Sequence, residues 1–262
     1  THENVGQGVL IMNTIRPIIT GIGLLILWQL IVLVTGVEHF ILPSPMDVAI
    51  ALNNRFNIIL GHTWITLIEI LLGLTFGIIL GTISAVLIGY FAPARQWLMP
   101  VLVISQAVPV FALAPILVLW LGYGITSKVA MATLIIYFPV TAALFDGLRR
   151  TDPGYLELAQ TMGASRWAIL RHIRIPNALP SFASGVRVAT AVAPIGAIVG
   201  EWVGSSQGLG FLMLHANARL QIDVMFAALF VLAVMALLIY FSIDAALKKM
   251  IHWQTETQPS ND

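Results

Sequence analysis

The first candidates for chemistry in this sequence are ionisable side chains that interrupt long apolar stretches. Glu69 and Arg187 are the two that lie well inside such stretches, and a charge at that depth in a membrane is costly enough to mark a functional position. Each residue also has a structural interpretation. Glu69 lies near one end of its stretch and could face lipid headgroups or an outer vestibule. Arg187 could reach the interface along its own stem or bond to a helix carbonyl.

Polar and aromatic residues around an interrupted stretch are the second candidates. Gln106 and Pro109 break the apolar stretch 97–122 near its middle, and Pro115 follows. Prolines free backbone carbonyls that protein or water must satisfy, so this break indicates a polar-lined pathway. The alternative is that the aromatic residues serve helix packing and the interfacial belt. The pathway candidates here are Ser105, Gln106, Phe111 and Trp120.

The residue types give no support for covalent or metal chemistry. The sequence contains no Cys, which excludes thiolate nucleophiles, disulfides and Cys-based metal sites among these residues. We therefore predict no catalytic residue and no metal site. A net charge of +1 also provides no basic field for nucleic acid.

These candidates must be positioned by membrane helices. The chain is 58% hydrophobic and 10% charged, against roughly 25% charged residues in a soluble domain. A bilayer core needs about 20 apolar residues in a helix. Six windows of that kind predict an all-α membrane protein with six transmembrane helices, at 17–36, 63–91, 97–122, 129–145, 180–199 and 224–243. The stretch 201–221 is polar and glycine-rich, and we expect it to be an outer loop.

Basic residues orient these spans. If the N-terminus is inside, nine Lys and Arg residues lie in inner segments and three in outer segments. The positive-inside rule then predicts that both termini are cytoplasmic, with an N-terminal segment 1–16, a permease domain 17–247 and a tail 248–262. The inner set is Arg16, Arg95, Arg149, Arg150, Arg166, Arg171, Arg174, Lys248 and Lys249, and the outer set is Arg55, Lys128 and Arg219.

Small residues recur every four positions in the second stretch. Such a stripe lies on one helix face and lets another helix approach closely. We expect helix packing there, and a surface that slides during a conformational cycle would use the same stripe. Its members are Gly73, Gly77, Gly81, Ala85 and Gly89.

The segment 147–179, on the predicted inner side, carries the most specific pattern. Asp152 can cap a first short helix, Gly163 can end it, and Ser165 can cap a second that Pro176 should stop. One face of the first helix, formed by Leu156, Ala159, Gln160 and Gly163, would suit a groove in another protein. Alternatively, the segment lies on the membrane with its arginines on lipid phosphate.

Residues 157–176 resemble a known motif. Glu157-Leu-Ala159, then Gly163, then Ile173-Arg-Ile175-Pro176 is similar to the EAA motif, E-A-A-x3-G-x9-I-x-L-P, of the permeases of binding-protein-dependent ABC importers. Leu158 and Ile175 replace the motif's Ala and Leu. Between 42 and 247 the chain also resembles the nitrate, sulfonate, taurine and thiamine-precursor branch, at Leu42-Pro-Ser-Pro45, Ala114-Pro115, Trp120-Leu-Gly-Tyr-Gly124, Gly185-Val-Arg187, Glu201-Trp-x-Gly204 and Gly208-Leu-Gly210.

The resemblance implies a type I ABC importer permease fold in the bacterial inner membrane. It implies a homodimer, two cytoplasmic ATPase subunits and a periplasmic or lipid-anchored solute-binding protein. It also adds Arg187 and Glu201 to the functional candidates. ATP and Mg would bind the ATPase, since this chain has no G-x-x-x-x-G-K-[ST] loop. The implied docking residues are Leu156, Glu157, Ala159, Gln160, Gly163, Ala164, Ser165 and Arg166.

The substrate expectation is a thiamine-precursor pyrimidine, because the third stretch offers aromatic faces and neutral hydrogen-bonding groups. A sulfonate, taurine or nitrate importer is the alternative, and it would be expected to want a positive or donor-rich lining. An ion-coupled secondary transporter is a different class. It would want midplane acids and bases and an internal repeat, neither of which the sequence offers.

Overall fold

The chain is helical throughout the part that the structure describes. This computed structural model describes the backbone of residues 2–253 and the side chains of 19–91, 93–102, 104 and 108–253. No strand occurs in that range. The helices are α1 (His2–Thr35), α2 (Pro45–Asn54), α3 (Phe56–Tyr90), α4 (Ala92–Ala107), α5 (Val110–Leu121), α6 (Ile125–Arg149), α7 (Pro153–Thr161), α8 (Arg166–Ile169), α9 (Ile175–Gly204), α10 (Leu209–Ala218) and α11 (Ile222–Met250).

All six predicted apolar regions are helical. Among the described residues, four helices are long and apolar enough to cross a membrane: α3, α6, the continuous helix Arg166–Gly204, and α11. The first region corresponds to the shorter apolar helix Ile19–Thr35 within α1. The third region is divided between α4 and α5 at Val108 and Pro109, because proline has no N–H and disfavours a helical residue before it.

The prediction of a loop over 201–221 is wrong. The stretch 201–221 is largely helical rather than a loop, since α9 continues to Gly204 and α10 occupies Leu209–Ala218. The apolar residues from Leu209 to Leu214 favour that helix over an exposed loop. At the other end, α11 continues past 247 to Met250. Residues 254–262 of the predicted tail lie outside the described residues.

The described residues form two compact units, each with its own contacts. The first comprises residues 2–60 and 212–230. In it, α2 begins with a capping box, in which Ser44 Oγ accepts from the Asp47 N–H and the Asp47 carboxylate accepts from the Ser44 N–H. The hydrogen bond from the Ser44 side chain is the main reason that the pKa of Asp47 lies below its usual value.

The second unit comprises residues 61–211 and 231–253. Here α6 packs against the small-residue stripe of α3 on one side and against glycines of α9 on the other. Close packing of small residues supplies van der Waals contact between membrane helices, where lipid weakens the hydrophobic driving force. A Cβ added to the α3 glycines would overlap α6 at four places: Gly73 with Ala132, Gly77 with Ile136, Gly81 with Val140, and Gly89 with Leu148.

A helix junction in this unit differs from the expectation for Pro176. Helix α8 does not stop before the proline but continues through a wide π-helical turn, Leu170–Arg174, into α9. The Ile175 N–H bonds to the Leu170 carbonyl, one residue further back than in an α-helix. The prediction of a stop is wrong because this turn shifts the hydrogen-bond register immediately before the residue that has no N–H to donate.

Candidate functional site

The short helix α7 is the part of segment 147–179 that is most exposed. Asp152 caps its first turn by accepting from the Gly154 N–H at 2.7 Å, and Pro153 is its first residue. At its other end the Gly163 N–H bonds to the Gln160 carbonyl and the Ala164 N–H to the Ala159 carbonyl. These two bonds form a Schellman motif. Gly163 has a φ of +77°, which glycine adopts at little cost.

The predicted docking face of α7 is only partly exposed. Ala159 is buried and Leu156 half-buried against the rest of the chain, whereas Glu157, Gln160, Gly163, Ser165 and Arg166 are exposed and Ala164 is intermediate. The exposed apolar side chains of α7 lie on the neighbouring face instead. They are Tyr155 and Leu158, together with Met162 at the C-cap of the helix, which is 78% exposed.

A groove of about 430 Å³ runs beside this exposed face. Tyr155, Leu158 and Met162 line one part of it, and Pro176 and Trp253 line another. Helix α7 therefore presents an exposed apolar surface, with a cap at each end of the helix, next to a groove of the same chain.

Glu201 forms the centre of a second site, a buried polar cluster. It is 1% exposed. Its carboxylate accepts from the Thr66 hydroxyl at 2.6 Å and from the N–H groups of Gly210 and Phe211. The Leu209 N–H bonds to Thr66 Oγ1 and the Gly208 N–H to His62 Nδ1. Side chains of α3 and α9 thus satisfy four successive N–H groups at the start of α10, which would otherwise have no partner within that helix.

Only glycine fits at position 208. Its φ is +107°, and a Cβ there would overlap the Glu201 carboxylate. The glycine therefore allows both the turn and the close approach of the carboxylate.

Lys128 completes the buried cluster from α6. Its ammonium donates to the carbonyls of Tyr123, Gly124 and Gly204. The bond to Gly204 satisfies a carbonyl at the C-terminal end of α9, where a cation is favoured. Lys128 lies close enough to Glu69 and Glu201 for its ammonium to interact with their carboxyl groups.

Glu69 is buried in the same cluster rather than facing headgroups or a vestibule. It is 2% exposed and lies within hydrogen-bonding reach of Glu201. Its Oε2 has no hydrogen-bond partner among the described residues. The two predicted acidic candidates, Glu69 and Glu201, are therefore brought together by the fold.

Arg187 lies near the middle of α9, away from Glu201, and forms a different contact. Its Nε donates to Asp244 of α11 at 2.6 Å, and Lys248 lies 3.3 Å from the other oxygen of the same carboxylate. Arg187 therefore bonds to a carboxylate rather than to a helix carbonyl, which was one of its two structural interpretations.

The remaining pathway candidates do not join either site. Phe111 is 65% and Trp120 75% exposed on α5. The side chains of Ser105 and Gln106 lie outside the described residues. Sequence reasoning missed Lys128, Thr66 and Asp244 as partners. Lys128 stands at the start of the fourth apolar stretch and Asp244 directly after the sixth, so the boundaries chosen for those stretches placed both outside them.

Comparison with known proteins identifies the chain's relatives. It is 52% identical to a protein of Haemophilus influenzae called probable ABC transporter permease protein, over 92% of this chain and 98% of that one. It is 34% identical to formylaminopyrimidine transport permease protein ThiX of Halalkalibacterium halodurans, over 92% and 97%. It is 37% identical to riboflavin transport system permease protein RibX of Chloroflexus aurantiacus, over 88% and 87%.

The fold also matches a solved structure. An inward-facing MetNI methionine ABC transporter superposes with a TM-score of 0.65 at 20% identity, covering 75% of this chain and 97% of that one. At that identity the likeness shows the type I importer permease fold. Residues 73–252 match the family described as binding-protein-dependent transport system inner membrane component. The chain therefore belongs to that family: it is a non-catalytic, inner-membrane permease subunit of an ABC importer, which works with a solute-binding protein and an ATPase on other chains.

Proposed function

We propose that two copies of this chain form the translocation pathway and that each copy docks through α7 onto one cytoplasmic ATPase. The single observation that carries the docking role is the exposed apolar face of α7, Tyr155, Leu158 and Met162, on a helix capped at both ends. Such a face is costly to leave in water and is typical of a surface that a partner covers.

The continuous helix Arg166–Gly204 offers a route from the docking element to the buried cluster. It begins two residues after Ala164, at the Ser165 cap, and ends beside Glu201. When ATP favours one arrangement of the ATPase, the permease arrangement that binds it better gains population. A displacement of α7 would then be carried along this helix to the opposite end.

Cysteine crosslinking tests the docking proposal. The chain has no Cys of its own, so Leu158→Cys creates a single reactive site. We expect it to crosslink to a cysteine in the ATPase groove, whereas Ala159→Cys, on the buried side of the same helix, should not. Crosslinking of both variants to the same extent, or of neither, would contradict the docking face.

For the homodimer, differently tagged copies of the chain should co-purify in one complex. A complex that holds one copy, or this chain with a second kind of permease, would overturn the proposal.

For the substrate we propose a small neutral nitrogen heterocycle of the formylaminopyrimidine kind. The relatives named for formylaminopyrimidine and riboflavin transport are 34% and 37% identical to this chain, and both of those solutes are planar heterocycles. The cations in and next to the described spans support the same conclusion. Arg187 is paired with Asp244, and Lys128 with three carbonyls, so both are already engaged by the chain itself rather than available to a sulfonate or nitrate.

Uptake into vesicles decides the substrate. With the cognate binding protein and ATPase present, we expect saturable, ATP-dependent import of a formylaminopyrimidine that excess alkyl sulfonate does not inhibit. Import of taurine, an alkyl sulfonate or nitrate without competition by pyrimidines would replace the heterocycle while leaving the family assignment intact.

A further inference from the structure

A small cavity lies beside α7, separate from the groove at Tyr155, Leu158 and Met162, although Leu156, Gln160 and Arg166 of the predicted docking residues line it. It has a volume of about 250 Å³ and lies between the end of α3 and segment 156–174. Its walls include Tyr90 of α3, Leu156 and Gln160 of α7, and Arg166, Leu170 and Arg174. The lining therefore combines two guanidinium groups, an amide and a phenol with apolar side chains.

The two arginines of this cavity have no counter-charge in it. No acidic residue is among the lining residues. Arg166 and Arg174 form no ion pair within the part of the chain that the structure describes. The Nε of Arg174 is shielded from solvent and has no hydrogen-bond partner among the described residues. Burying a charged donor without an acceptor is unfavourable. An anionic ligand in the cavity would supply the acceptor that the arginines lack.

Aromatic residues beside the cavity indicate that it lies at the headgroup level of the membrane. Helix α3 ends at Tyr90, whose ring lies edge-on to Phe91 and to Trp167. Phe91 and Trp167 are both exposed. Clusters of exposed Trp and Tyr at the end of a span are typical of the headgroup level of the bilayer. Along α3, Ile83 and Leu87 are exposed on the same helix face as Tyr90.

We propose that this cavity binds the phosphate group of an anionic phospholipid. Guanidinium groups make strong, charge-assisted hydrogen bonds to phosphate oxygens, and Arg166 and Arg174 would supply them, with Gln160 and Tyr90 as neutral donors. The acyl chains would lie along the exposed α3 face at Ile83 and Leu87. The lipid would thereby bridge a membrane span and the docking helix α7.

Native mass spectrometry of the complete transporter, purified from membranes that contain phosphatidylglycerol, tests this site. We expect wild type to retain phosphatidylglycerol and Arg166→Gln/Arg174→Gln to lose it by at least about tenfold in affinity, the equivalent of one charge-assisted contact. Arg171→Gln is the matched control, because Arg171 is exposed on the same segment but does not line the cavity. An equal loss in Arg171→Gln would show general surface attraction and overturn the proposal, as would no retention by wild type.

Thermal unfolding of the delipidated transporter in detergent distinguishes a phospholipid headgroup from free inorganic phosphate as the ligand. We expect phosphatidylglycerol to raise the thermal unfolding temperature, and phosphatidylcholine and inorganic phosphate to leave it unchanged. Equal stabilisation by inorganic phosphate, abolished in the double variant, would instead assign the cavity to a free anion and overturn the lipid.

If the double variant does not fold, Gln160→Glu serves in its place. It adds a carboxylate beside both arginines and should displace the lipid while the fold is kept. Undiminished phosphatidylglycerol binding in Gln160→Glu would contradict the site.

Discussion

At the residue scale, Glu201 and Lys128 are buried charges whose hydrogen-bonding capacity is used by backbone groups. Glu201 accepts from two N–H groups and a hydroxyl, and Lys128 donates to three carbonyls. Charged groups inside a membrane protein are tolerated when they are paired in this way. Their positions in the structure indicate that they hold helix ends together.

We expect Glu201→Ala to lower the free energy of unfolding by about 3 kcal/mol, because it leaves the buried Gly210 and Phe211 N–H groups and the Thr66 hydroxyl without their acceptor. Thermal unfolding of the purified protein in detergent measures the change. Glu38→Ala, at an exposed position, should have no effect. An unchanged melting temperature for Glu201→Ala would show that the carboxylate is dispensable for the fold.

Sequence reasoning singled out Glu69 and Arg187 from their apolar surroundings and Glu201 from the family resemblance, but it missed Lys128 and Asp244 as their partners. Glu69 and Arg187 stand out because apolar residues surround them along the chain. Their contacts, Glu201 and Lys128 for Glu69 and Asp244 for Arg187, lie at the ends of other stretches. Whether a residue at the end of a span is buried depends on how far its helix extends and on which neighbour it meets. Periodicity along one segment carries neither piece of information.

At the scale of elements, the close contact between α3 and α6 requires glycines, which have no side chain, on the facing side of α3. We expect Gly77→Ala to destabilise the protein by roughly 1–3 kcal/mol, because the new Cβ would overlap Ile136. Gly61→Ala on the same helix is the control, since nothing lies within 4 Å of its Cβ position. There, alanine should stabilise by about 0.5–1 kcal/mol. Equal effects of the two substitutions on thermal unfolding would argue against close packing.

The end of α7 provides a second test at this scale. We expect Gly163→Val to abolish transport-coupled ATPase activity while membrane insertion stays normal, because a β-branched residue is strained at a φ of +77°. Gly163→Asn should keep most of the activity, since Asn tolerates the left-handed region. ATPase assays with and without the binding protein give the readout. Normal transport-coupled ATPase activity in Gly163→Val would show that the left-handed conformation at Gly163 is not required.

Caps and breaks were the elements that the sequence predicted best. Asp152, Gly163 and Ser165 act where their residue types indicated, and Pro109 divides the third stretch. The continuation of α8 through Pro176 was not predictable from those rules. A π-helical turn has no simple residue signature, and Leu170 within it packs into a core with Leu144 and Leu148, which are distant in sequence.

At the scale of the whole molecule, the distribution of basic residues predicts that both termini and α7 face the cytoplasm. The Cys-free chain allows a direct test with single-Cys variants. We expect Gln160→Cys to resist an impermeant maleimide added outside intact cells, and Asn53→Cys to react with it, because Asn53 is exposed on α2 in a predicted outer segment. Labelling of residue 160 from outside would reverse the topology.

The first N–H groups of α10 are hydrogen-bonded to side chains of other helices rather than to the backbone of α10. These bonds set the rate at which the amide hydrogens exchange with water. Helix ends ordinarily fray and exchange their hydrogens quickly. The amides of residues 208–211 are bonded to His62, Thr66 and Glu201, so they exchange only when α3 or α9 withdraws its acceptor. Deuterium uptake at residues 208 and 209 therefore measures how often the start of α10 separates from α3, and uptake at 210 and 211 how often it separates from the Glu201 carboxylate of α9.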